Sequence, residues 1–115
     1  MPSAAAFVTD YVAVFNAAVA SGDYEPLLAR YTDDAVLRFE NVPPEASSLQ
    51  FAGRQAIADA YAQNPPDDQI DLTGEPASTG EHVAVAFAWR RDQSPGVLDF
   101  AISGNMIGGL TVIFG

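Results

Sequence analysis

Any reaction this chain performs has to be built from carboxylates and phenols. Its cations are five arginines (Arg30, Arg38, Arg54, Arg90 and Arg91), it has no lysine and no cysteine, and His82 is its single histidine. Without lysine there is no Schiff base, and without cysteine no thiolate, disulfide or zinc–thiolate site. Most of the 15 Asp and Glu residues fall at expected caps and turns, Asp33-Asp34 and Asp67-Asp68 among them, where they satisfy backbone N–H groups. Glu40, Asp71 and Asp99 lie inside strand-like runs. Asp71 sits in the most polar of these, which leaves Glu40 and Asp99 as acid–base candidates; burial in an apolar strand would make either hold its proton more tightly. Tyr11 shares an apolar stripe with Phe7 and Phe15, and Tyr61 shares a face with Ile57. Two phenol donors and an acid suffice for acid–base work on a polarised oxygen. His82 follows Gly80-Glu81 at a turn, so a metal site would rest on carboxylates alone, and none is expected. The run Gly104 to Gly109 precedes no helix and lacks the lysine of a phosphate loop, and there is no G-x-S-x-G elbow.

These residues need elements to hold them. Ser3 is a helix cap before Phe7, Tyr11, Phe15 and Ala18, which recur at helical spacing until Ser21-Gly22. Asp23 caps a short second helix, Tyr24 to Tyr31, which tolerates Pro26 in its first turn. A turn at Thr32-Asp33-Asp34 releases a strand from Ala35 to Val42, ended by Pro43-Pro44. A short strand, Leu49 to Ala52, leads through Gly53 into a third helix closed by Asn64-Pro65-Pro66. Four strands follow: Gln69 to Ser78, His82 to Arg91, Gly96 to Ser103, and Met106 to Phe114. Helices first and an antiparallel meander second is an α+β order, with helices covering one face of a sheet.

Strand alternation assigns faces. Leu37 and Phe39 share one face and Arg38 and Glu40 the other, so only a bulge would turn Glu40 inward. Leu98, Phe100 and Ile102 likewise oppose Val97, Asp99, Ala101 and Ser103. Val83, Val85, Phe87 and Trp89 alternate with alanines, as Leu110, Val112 and Phe114 alternate along the last strand. That large-residue face either lines a pocket for an apolar ligand or fills a core.

The 115 residues form one domain, 1–115, in which 49% hydrophobic content supplies a real core. A net charge of −10 repels phosphate backbones and anionic lipid, so neither nucleic acid nor a membrane is an expected partner. Neither a basic leader nor an apolar run long enough for a membrane span is read at the N-terminus, and a cytoplasmic location is expected.

The segments "YTDDAVLRF", "FAGRQAIADAYAQN" and a last strand ending "LTVIFG", in this order after two helices, resemble the nuclear transport factor 2-like superfamily, in its SnoaL-like and ketosteroid isomerase-like branch. The resemblance covers nearly the whole chain. It implies a cone-shaped, curved antiparallel sheet wrapped around three N-terminal helices, a deep apolar pocket, and a homodimer formed through the convex face. It also implies a cofactor-independent isomerase-like or cyclase-like activity on a hydrophobic ketone or polycyclic molecule. Tyr11 in "DYVAVFN" matches the oxyanion tyrosine and Tyr61 a pocket tyrosine, with Phe39, Val85, Phe87, Trp89, Leu110, Val112 and Phe114 as pocket walls. The position of the family's basic aspartate, four residues after the alanine of "DDA", is Phe39 here, which leaves Glu40 or Asp99 to act as acid–base group. A non-catalytic binding or dimeric interaction module of the same fold is the alternative.

Overall fold

A computed structural model describes residues 3–42, 45 and 47–114. Helix α1 spans Ala4–Ser21: the Ser3 side chain accepts from the Ala6 amide at 3.1 Å, and Gly22, at a φ of 80°, ends the helix. Its stripe of Val8, Tyr11, Phe15 and Ala18 is buried, and Tyr11 meets Phe100 of the sheet edge-on at 5.0 Å. Contrary to expectation, α1 is long and apolar enough to cross a membrane by length and composition, with a mean hydropathy of 1.4. Alanine and valine raise that value, and in this fold the aromatic stripe is committed to the sheet. The expected absence of a leader at Met1-Pro2 lies outside the described residues, as does the stop at Pro43-Pro44.

Helices α2 (Glu25–Leu28) and α3 (Arg54–Gln63) join α1 over one face of a curved seven-stranded sheet. Its strands are β1 (Tyr31–Val42), β2 (Ser47–Ala52), β3 (Ile70–Leu72), β4 (Ala77–Thr79), β5 (His82–Trp89), β6 (Pro95–Ser103) and β7 (Met106–Phe114). The order is β2-β1-β7-β6-β5-β3, and β4 also pairs with β5. This is the expected α+β cone with one correction: the sheet is mixed, because β1 runs parallel to β7 while every other pairing is antiparallel. The long crossover through α3 and the meander brings the last strand back beside the first in the same direction.

Long-range pairing corrected two local readings. The second helix stops at Leu28 because the Ile107 amide donates to the Arg30 carbonyl (2.8 Å), drawing Tyr31 into β1 next to Ile107. The expected turn at Thr32-Asp33-Asp34 is thus strand, with an irregular register between Tyr31 and Val36. The expected strand from Gln69 to Ser78 splits in two at Gly74-Glu75-Pro76, where proline has no N–H for the ladder.

The inner face of the sheet is the core. Leu37, Val85, Phe87, Leu98, Phe100 and Leu110 are all 2% exposed or less, and each such side chain contributes on the order of 1.5–3 kcal/mol through burial. Two polar clamps hold the helices over it. Asn16 of α1 pairs through its amide with both backbone groups of Ile70, at 2.9 Å each. Arg54 of α3 reaches the Tyr31 carbonyl at 3.2 Å and pairs with Asp33.

Candidate functional site

Between the helices and the inner sheet face lies a partly open pocket with about 20 Å³ of space, its Phe39 and Trp89 walls half-buried. Tyr11 and Phe15 wall it from α1, Tyr61 from α3, and Leu37, Phe39, Ile70, Phe87, Trp89, Leu98 and Val112 from the sheet. Six of the residues marked out in the sequence therefore meet here: Tyr11, Tyr61, Phe39, Phe87, Trp89 and Val112. Val85 and Leu110 are buried in the core beside it and do not line it. Phe114 stands at the rim, stacked on Trp89 at 5.9 Å, with Phe39 and Phe51 completing an aromatic edge.

The two candidate acids are elsewhere. A bulge does form in β1, between Phe39 and Val42 against β2, with Asn41 at a φ of 58°, but it leaves Glu40 facing outward. Glu40 keeps its regular place opposite Ile113 and accepts from Arg38 on the outer face at 2.8 Å. Asp99, opposite Ala84 and Thr111, also faces outward, 3.6 Å from His82 Nδ1. Their side chains are 37% and 43% exposed. Alternation alone had put both on that face.

A third phenol joins the pair that the sequence singled out. The Tyr31 hydroxyl lies 3.3 Å from that of Tyr61, in a wholly buried contact, and the ring is 0% exposed. Sequence reading placed Tyr31 at a helix end; the signal available was its position just before "TDDA", at the start of an alternating run. Burial raises the Tyr11 and Tyr31 phenols well above their ordinary value, with neighbouring Tyr61 adding to the effect. Burial likewise pushes Tyr61 up to about 12, against the opposing hydrogen bond from Tyr31. All three stay protonated at physiological pH, and in the Tyr31–Tyr61 contact one hydroxyl donates to the other. The Trp89 indole N–H is also buried and, among the described residues, has no acceptor.

A cavity of this size has room for one oxygen-sized group, since a water needs roughly 10–15 Å³ of such space. The polar side chains that line this space are the Tyr11 and Tyr61 phenols and the Trp89 indole. Among the described residues no three His, Cys, Asp or Glu side chains stand close enough to hold a metal ion.

No family model matches this chain, and no curated protein matches it in sequence. Solved structures do. A nuclear transport factor 2-like protein of unknown function from Mesorhizobium loti is 18% identical, with a TM-score of 0.67 over 100% of this chain and 96% of that one. A protein provisionally named a ketosteroid isomerase, from Kribbella flavida, is 18% identical with a TM-score of 0.68, covering 97% of this chain and 77% of that one. The fold is that of the nuclear transport factor 2-like superfamily. A provisionally named polyketide cyclase from Xanthomonas campestris shares the same fold at 19% identity and a TM-score of 0.63, over 98% and 93% of the two chains. Identities this low speak to the fold alone, and within the nuclear transport factor 2-like fold function is set by the groups that line the cone.

Proposed function

We propose that this protein binds a small, flat, apolar ketone, taking the carbonyl oxygen onto neutral donors in the interior without moving a proton itself. One observation carries the reading. The polar groups lining the interior are the Tyr11 and Tyr61 phenols and the Trp89 indole, and among the described residues no carboxylate or imidazole reaches it. Such groups donate to an oxygen lone pair in an apolar, low-dielectric site, where each hydrogen bond is strengthened. A base is missing, and shifting a double bond beside a carbonyl requires one within hydrogen-bond reach of the proton it removes. The names of the Kribbella and Xanthomonas neighbours supply the alternative, an isomerase-like or cyclase-like enzyme acting without a cofactor. That reading requires Glu40 or Asp99 to turn inward, against the register of both strands.

Prodan, a neutral naphthyl ketone whose emission shifts red when its carbonyl is hydrogen-bonded, tests the binding reading. Saturable binding with a red shift is expected, weakened about fivefold to tenfold by Tyr11→Phe or Tyr61→Phe, the loss of one net hydrogen bond in each case. Binding indifferent to both phenols, or no binding, would overturn it.

We further propose that two copies pair through the outer sheet face, in the cytoplasm. Ala84, Ala86, Val97, Ala101, Gly109 and Thr111 make this face shallow. Arg38 and Asp99 flank Thr111 on neighbouring strands. A two-fold axis along Thr111 therefore sets Arg38 of one copy against Asp99 of the other.

A further inference from the structure

We propose that the groove between α2 and α3 is the port to the interior and that Tyr24 is its latch. The port serves the ketone site inferred above and rests on that reading. The interior, at about 20 Å³, accommodates an oxygen and not the body of a ligand. The groove outside it measures about 400 Å³, within the range of small-molecule sites, and Tyr24, Leu28, Ala58, Tyr61 and Pro65 line it. Tyr61 belongs to both spaces, so its ring is the wall between them.

Tyr24 covers that wall. Its ring stacks on Tyr61 at 5.2 Å and 17°, and its hydroxyl donates to the Pro66 carbonyl at 3.1 Å, tying α2 to the loop after α3. Tyr24 is half-buried while Tyr61 is 6% exposed, so the outer ring shields the inner one. One hydrogen bond and one ring stack hold the port shut. Tyr24 immediately precedes the four-residue helix α2 and follows Gly22 in a left-handed conformation, so it sits on a segment too short to be fixed by its own helical hydrogen bonds. With Tyr24 swung aside, a flat ligand lies on Leu28, Ala58 and Pro65, and its oxygen reaches past the edge of Tyr61 toward the other phenols. Asp23 and Glu25 line the same groove. Their charge favours neutral ketones over keto acids.

The Trp89 indole N–H gives a readout that needs no ligand. It is the chain's single tryptophan, half-buried as a residue but with its N–H buried, so exchange of that proton reports water reaching the indole nitrogen. Tyr24→Phe keeps the ring stack and removes the hydrogen bond to Pro66; it is expected to speed both indole exchange and prodan association about fivefold, the weight of one net hydrogen bond. Tyr24→Ala is expected to speed both further, while the amides of Leu98 and Phe100 in β6 keep their wild-type protection. Phe51→Ala, at the aromatic rim, is expected to change neither rate. Indole exchange unchanged in both Tyr24 variants, or accelerated as much by Phe51→Ala, overturns the port. If prodan does not bind the wild type while the Tyr24 variants still speed indole exchange, the port stands and the ketone reading falls.

Discussion

Phe39 is the residue on which the chemistry turns. It lines the interior with Tyr11 and Tyr61, at the position where the resembled family carries its base, so one substitution asks whether the remaining groups are competent. Phe39→Asp should create isomerisation of 3-cyclohexenone to its conjugated isomer, where the wild type runs at the background rate, and should lose it again when combined with Tyr11→Phe. A positioned base contributes typically 10²–10⁴-fold, so a rate assay resolves the gain. Wild-type turnover above background would instead favour the enzyme reading. The phenols make a second prediction. Tyr11, Tyr31 and Tyr61 all titrate higher in the fold than the ordinary tyrosine value of 10.0, so above about pH 10 the unfolded chain loses protons that the folded one keeps. Their contribution to stability is intact below that pH and is lost as pH rises toward 12, by up to about 1.4 kcal/mol per unit for each phenol. Absorbance at 295 nm should show these three ionising together with alkaline unfolding, and Tyr11→Phe should flatten the pH slope of stability.

At the scale of elements, the interior is set by how closely β5, β6 and β7 approach one another. A Cβ at Gly96 would stand 2.6 Å from the Phe87 ring and 2.8 Å from the Ile113 carbonyl, so the opening of β6 depends on a residue without a side chain. Gly96→Ala is expected to displace Phe87 into the cavity and cost about 1–3 kcal/mol, read as a lowered urea midpoint with an unchanged m-value. Helix and strand types, the Ser3 and Gly22 boundaries of α1 and the two-faced strands were legible in the sequence, because caps and alternation act over a few residues. The end of α2 and the parallel contact of β1 with β7 were not, since each depends on a partner far along the chain, whereas the break at Pro76 follows from a residue with no N–H for the ladder.

The whole molecule carries a net charge of −10, and that charge opposes any pairing of copies. The outer sheet face, proposed above as the interface, adds little to this repulsion, because Arg38 pairs with Glu40 and His82 lies 3.6 Å from Asp99 around a shallow centre. Light scattering behind size exclusion should show a dimer that tightens from about 0.01 M to 0.15 M salt, as the Debye length shrinks from about 30 Å to 8 Å. Thr111→Arg at the centre of the face should yield a folded monomer. A monomeric wild type across that range would remove the outer face as an interface.

The sequence by itself determined which chemistry was possible and which way the residues of the regularly alternating strands point. Composition excluded thiolate and amine nucleophiles, and the period of two turned Glu40 and Asp99 outward and Phe39 inward. These follow from covalent identity and from backbone sterics acting between near neighbours. Only the tertiary structure decided that Tyr31 joins the phenols, that the bulge in β1 falls between Phe39 and Val42, and that the cone narrows to a space of about 20 Å³. Register and pocket volume are sums over contacts between distant segments, and no local pattern fixes them.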